Sequence, residues 1–345
     1  MYLIEPIRNN KYLADGAVVL ALQVYVQENL KLDDDILFPF VVNPNVQIGV
    51  FQNTQEEVNA DYIEKNNILV VRRDTGGGAI YLDQGCIGIC YLIKKSDAFF
   101  ANFAQAYQPA IKILKELGVE QIQYSGKNDL TINNKKVSGQ AMKIVNDKIY
   151  GGYSLLLDVD YEAMDLALKP NQAKISSKAV ASVKSHVTAL RPYLKPEYQN
   201  LTSIEFKNLF CAKLLNLNDL SEAKRYHLTD HDWAQIDQML VEKYKNWEWV
   251  YGNNPKYTYN QSRYFTNVGT IDVSLEIDQQ RIVKCKIYGD FFAKKPIAEL
   301  EKQLVGTKLV KQDLLTLLEK IDFSSYFNNL DLNLFVDFLI NQNTF

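Results

Sequence analysis

The sequence predicts an α+β fold built on a mixed sheet, divided into a larger unit over 1–250 and a smaller α+β unit over 256–345. Strands and helices alternate without a strict strand–helix–strand rhythm, which argues against a doubly wound sheet. Asparagine turns punctuate a dense strand region between 121 and 159. Within NWEWVYGNNPKYTY (246–259), Gly-Asn-Asn-Pro interrupts aromatic flanks and marks a seam.

Asp15 is positioned to cap a helix over 16–30, where Val18, Leu20, Leu22, Val24 and Tyr25 recur. ILFPFVV (36–42) and VQIGVF (46–51) read as short strands around an Asn-Pro-Asn turn. ILVVRR (68–73) is a further strand. AIYLD and CIGICYLI read as two hairpin arms turned by Asp83-Gln84-Gly85. Residues 97–117 predict an amphipathic helix, with Asp97 near its start, Gly118 after its end and Pro109 set to kink it. QIQY, DLTI, KKVSGQAMKIV and KIYGGYSLLLDV then read as strands, with turns at Asn133-Asn134 and Asn146-Asp147. Helical patterns return near 160–168, 203–217 and 230–245. Past the seam, SLEIDQQRIVKCKIYGDFF predicts a hairpin, followed by helices at 296–304 and 310–320.

The bulk numbers narrow the function. Net charge is 38 − 41 = −3, so neither nucleic acid nor a membrane surface is an expected partner. Cys86, Cys90, Cys211 and Cys285 form no CxxC pair, and His186, His227 and His231 hold no metal-ligand spacing. The N-terminus lacks a signal-peptide core. These observations predict a soluble, reduced, cytoplasmic protein.

Three segments carry chemistry. Arg72-Arg73 precede Gly76-Gly77-Gly78, where a bare backbone and a guanidinium suit a phosphate. Strand alternation sends only one of the two arginines into a given pocket. Gly126-Lys127-Asn128-Asp129 offers an amide and a carboxylate to Mg²⁺ or a ribose, or is simply a turn. In Lys135-Lys136-Val137-Ser138-Gly139-Gln140-Ala141, Lys135 faces solvent and Lys136 points the other way, toward an anionic partner.

RRDTGGGAIYLDQG, GKNDL with KKVSGQA, and KAVASVKSHVT (178–188) resemble the lipoate–protein ligases. QIGVFQNTQEEVN (47–59), WEWVYGNNPKY and KIYGDFF extend the resemblance along essentially the whole chain. It implies a catalytic domain of the biotin/lipoate ligase type and a small accessory domain. It also implies a two-step reaction, in which lipoate, or a related acid such as octanoate, condenses with ATP to an acyl-adenylate. A lysine on a lipoyl carrier domain then takes the acyl group. The carriers implied are 2-oxoacid dehydrogenase E2 subunits or the glycine-cleavage H-protein. Arg73, Gly76, Gly77, Gly78, Ala79, Ile80 and Tyr81 would line the nucleotide site with Asn128 and Asp129. Lys136 would be the catalytic cation, binding substrate with Arg73, Gly139 and Ala141, and Asp129 would hold Mg²⁺. Ile80, Ile89 and Tyr91 are either core residues or acyl-tunnel walls, and the 169–182 loop is a candidate lid or a plain disordered connection.

The chain departs from the family at several positions. Val50 stands for an Arg, Leu82 for a His, Cys86 for an Asn, Lys127 for an Arg, and Gly151-Gly152-Tyr153 for His-His-Gly. These changes suggest an altered acyl or carrier specificity. Two other readings stay open: an ATP-independent acyltransferase using a cysteine thiolate, and a non-catalytic lipoate- or carrier-binding protein.

Overall fold

The computed structural model describes residues 1–96, 99–169, 186–252, 259–278 and 280–340. Its central sheet runs β1 (Tyr2–Leu3), β4 (Ile36–Val41), β8 (Cys86–Lys94), β12 (Lys148–Leu156), β11 (Lys135–Val145), β10 (Asp129–Ile132) and β9 (Gln123–Tyr124). Only β1 and β4 pair in parallel; the rest are antiparallel. A second sheet places β5 (Asn45–Ile48) between β6 (Leu69–Arg72), parallel to it, and β7 (Ile80–Leu82), antiparallel. β2 (Ile7–Arg8) and β3 (Lys11–Tyr12) form a small hairpin.

Both faces of the central sheet are covered, which is why β4 and most of β8 are unbroken apolar runs. Alternation along β8 sends Ile87, Ile89 and Tyr91 into a core with α2 (Phe103–Glu116) and α3 (Ser203–Leu214). Cys86, Cys90 and Leu92 face the other way, toward α1 (Gly16–Glu28) and the second sheet. α1 is capped as expected, with Asp15 accepting from Ala17 and Val18 N–H groups. Positive φ at Asn133, Asn134 and Asn146 fits the tight turns read there.

The hairpin expected over 79–93 does not form. β7 pairs with β5 in the second sheet, while β8 pairs with β4 and β12 in the first. The Asp83-Gln84-Gly85 turn therefore crosses between sheets, a choice made by long-range pairing that local pattern does not carry. The helix expected from residue 97 starts at Phe103 under an Asn102 cap, and it continues through Pro109. Burial of Tyr107, Ala110, Ile113 and Leu114 outweighs the lost hydrogen bond there. Asp97 lies outside the described residues.

Past the seam, β13 (Tyr259–Phe265), β14 (Gly269–Asp278) and β15 (Arg281–Gly289) form an antiparallel sheet. With α4 (Ile297–Leu304), α5 (Lys311–Leu318) and α6 (Leu332–Ile340) it encloses its own core. The sequence reading missed β13 and α6. Backbone joins this unit to the larger one: Gly289 N–H donates to Phe51 O at 2.6 Å, and Phe51 stacks on Phe291 with centroids 4.8 Å apart.

Candidate active site

The two arginines divide as strand alternation requires. Arg72 turns into protein and donates to the carbonyls of Gly49, Gln52, Trp249 and Val250 at 2.6–3.0 Å. Arg73 lines a cavity of about 830 Å³, and spends its donors on Gln47 O, Thr75 Oγ1, Gly76 O and Gly78 O. Burial pulls its pKa down to about 10, which leaves it charged at neutral pH. Its first task here is to hold the glycine turn in shape.

The glycines answer to backbone crowding more than to an open anion nest. A Cβ on Gly76 would lie 2.2 Å from Phe291 O, and Gly77 N–H donates to that oxygen at 3.3 Å. A Cβ on Gly49 would lie 2.0 Å from Gly77 O. The turn thus wedges between the first domain's own backbone and the C-terminal unit. Gly77, Gly78, Ala79 and Ile80 line the cavity, whereas Gly76 and Tyr81 do not. Tyr81 packs in the core beside α1.

The Asn133-Asn134 turn sets β10 against β11 with Asp129 opposite Gly139 and Thr131 opposite Lys136. Val137 is fully buried, Lys135 is exposed, and Lys136 lines the cavity. The Lys136 ammonium sits 2.8 Å from Asp129 Oδ1. A Cβ on Gly139 would come within 2.7 Å of that ammonium, so glycine makes its berth. Asn128, Asp129, Gly139 and Ala141 line the same cavity. Asp74, which begins the glycine turn, is held by Lys243 at 2.5 Å and by the Tyr244 hydroxyl.

Of the expected tunnel walls only Ile80 lines the cavity. Ile89 and Tyr91 take the other reading, core packing: their parity on β8 turns them to the opposite face. The walls that sequence reasoning missed lie on α1 (Leu20, Gln23, Val24, Gln27) and on Phe40 and Tyr150. Glutamines inside an otherwise apolar helix were the available signal. The C-terminal unit adds Tyr264, Asn267 and Asp290, and the Lys127 ammonium lies 5.3 Å from the Tyr264 ring centre. His186 is exposed and also lines the cavity. The expected lid lies outside the described residues beyond Lys169.

Two of the positions that differ from the expected pattern, Gly151 and Gly152, are crowded by the neighbouring strand β8. A Cβ on Gly151 would meet the Tyr91 ring at 2.5 Å, and one on Gly152 would meet Cys90 Sγ at 2.5 Å. Side chains from β8 therefore occupy the space that two larger residues would need. The cysteines are poor nucleophiles: burial pushes Cys90 up to about 12, and burial with nearby Asp83 raises Cys86 well above an ordinary thiol.

Among the described residues no group of three His, Cys, Asp or Glu side chains is arranged to hold a metal by itself. Asp129 is the carboxylate beside Lys136, and Asp290 lines the cavity as well. That donor set fits Mg²⁺ bound chiefly through substrate phosphates. No described helix is long and apolar enough to cross a membrane.

Residues 15–215 match the family model described as the lipoyl protein ligase A/B catalytic domain, and residues 254–339 match that of the bacterial lipoate protein ligase C-terminus. The chain is 51% identical over 340 residues to lipoate–protein ligase 2 of Staphylococcus aureus, covering 99% of this chain and 100% of that one. It is 55% identical over 326 residues to a lipoate–protein ligase of Streptococcus pyogenes, covering 94% and 96%. The fold resembles LipL1 of P. falciparum, solved in complex with lipoate, with TM-score 0.74, 20% identity, and 99% and 98% coverage.

Proposed function

This chain belongs to the lipoate–protein ligase family, and on that premise we propose how its cavity performs the ligation of lipoate. The observation that carries the reading is convergence. The Lys136 ammonium and the Arg73-ordered glycine turn line one cavity, whose α1 side sets Leu20 and Val24 beside Gln23 and Gln27.

In the first step a lipoate carboxylate oxygen attacks the α-phosphorus of ATP, and the bond to pyrophosphate breaks. Two anions must meet, so cations are required. Lys136 exchanges its Asp129 partner for the carboxylate and α-phosphate oxygens. Arg73 keeps the turn in shape so that Gly78, Ala79 and Ile80 stay against the nucleotide. Asn128 and Asp129 face its phosphates and ribose, and Asp129 would hold Mg²⁺, which when bound neutralises phosphate charge. In the second step the neutral amine of a carrier lysine attacks the acyl carbon, the bond to AMP breaks, and the amine's proton leaves to solvent. The carriers proposed are lipoyl domains of 2-oxoacid dehydrogenase E2 subunits or the glycine-cleavage H-protein. Tyr264, Asn267 and Asp290 close the nucleotide side and limit hydrolysis of the mixed anhydride.

A mass spectrum of a carrier domain after incubation with the full chain, ATP, Mg²⁺ and lipoate tests this. One lipoyl group on a single lysine, dependent on ATP and accompanied by pyrophosphate, is the expected result. Transfer that proceeds without ATP would overturn it in favour of carrier-to-carrier exchange.

A further inference from the structure

Four glutamines line the cavity, each at most 6% exposed: Gln23, Gln27, Gln47 and Gln140. Each has one amide atom without a partner among the described residues, namely Gln23 Nε2, Gln27 Oε1, Gln47 Nε2 and Gln140 Oε1. Their other atoms are partly tied down. Gln140 donates to the Tyr91 hydroxyl at 2.7 Å, and Gln23 Oε1 accepts from the Tyr150 hydroxyl at 2.5 Å. A buried amide atom left unpaired is costly, and four around one hollow suggest a ligand that answers some of them.

Their placement says which part of a ligand. Gln23 and Gln27 share one face of α1 with Leu20 and Val24, at the spacing of a single helical stripe. Phe40, Leu82 and Cys90 line the same cavity. Tyr150 stands opposite Lys143 on β11, seven residues from Lys136, or about 23 Å along the strand. Two long side chains and a medium-chain acid together span that gap. The carboxylate end belongs at Lys136, so the acid's tail arrives among Gln23, Gln27 and Tyr150. The polar residues suited to a nucleotide (Asn128, Asp129, Asn267, Asp290) do not share this stripe.

Resting on the ligase reading above, we propose that Gln23 and Gln27 select the tail of the acid, favouring a sulfur-bearing ring over a plain alkyl end. Ring sulfur is polarisable and accepts weakly from an amide N–H: Gln23 Nε2 supplies one such contact, and Gln27, with its amide turned over, a second. An alkyl end of similar length offers neither and leaves both amides unpaired. The terminal torsion of glutamine is broad, so each amide turns toward the ligand without leaving its rotamer.

The test measures pyrophosphate release by the full chain with ATP and Mg²⁺, varying lipoate or octanoate, for wild type, Gln23→Leu and Gln27→Leu. Wild type is expected to favour lipoate, and each variant to lower the lipoate-to-octanoate ratio of kcat/KM about tenfold with the KM for ATP unchanged. A folded variant with an unaltered ratio overturns the proposal. So does a rise in the KM for ATP, which would assign the amides to the nucleotide. Should the leucine variants unfold, calorimetric titration of wild type with each free acid decides: octanoate binding as tightly as lipoate refutes the selection. Wild type releasing no pyrophosphate with either acid would instead sink the ligase reading, and this inference with it.

Discussion

Gly88 faces the ring of Phe40, and a Cβ there would lie 2.1 Å from Cζ. Gly88→Ala must push that ring aside within a packed wall. It is expected to cost about 1–3 kcal/mol of stability and to narrow the cavity beside Phe40. Denaturant unfolding checks this, and an unmoved midpoint would contradict it. Lys136→Ala belongs to the same scale. Its side chain is partly exposed and its partner, Asp129, can turn to solvent, so the fold should survive. Pyrophosphate release should fall by about 10²-fold or more, comparable to losing one preorganised charge-stabilising donor; circular dichroism alongside the assay separates catalysis from unfolding. Both residues were differently legible. Lys136 stood out by parity and its Ser-Gly neighbour, whereas the role of Gly88 exists only because a distant phenylalanine leans on it.

Helix α1 shows what an element's own sequence specifies. Asp15 supplies its cap, its carboxylate also lying 3.5 Å from the Lys245 ammonium. Asp15→Ala should destabilise the protein by about 1 kcal/mol, read from thermal melting; a loss near zero would mean that the flanking backbone caps the helix without it. The start of α1 and the Asn133-Asn134 turn were readable because they are short-range chemistry. The partner of β7 was not. Its residues are compatible with pairing to β8 or to β5, and only the assembled sheets select β5.

At the scale of the molecule, one buried ion cluster ties the N-terminus to the later helices. Glu5 is bound by Lys207 and, at 2.5 Å, by Arg225, from segments some two hundred residues away. Burial raises its pKa, but the two cations outweigh that and hold it below the ordinary carboxylate value. Its contribution to stability is therefore fully present above the unfolded glutamate value of about 4.3, and is lost as pH falls through the lower folded value. Lys207→Met should remove about 3 kcal/mol at neutral pH by leaving Glu5 with one partner, and should flatten the acid limb of stability against pH. An acid limb of unchanged steepness in the variant would refute the assignment.

By itself the sequence determined the α+β class, the strand-rich middle, and most of the residues that meet in the cavity around Arg73 and Lys136. Each rests on local signals: turn chemistry, alternation, and glycine beside fixed charge. Tertiary structure alone decided that the glycine turn is wedged under Phe291, that Ile89 and Tyr91 face away from the cavity, and that α1 supplies its amide-bearing wall. Those outcomes depend on which surfaces meet across long stretches of chain, and side-chain identity sets such contacts only once the sheets have paired.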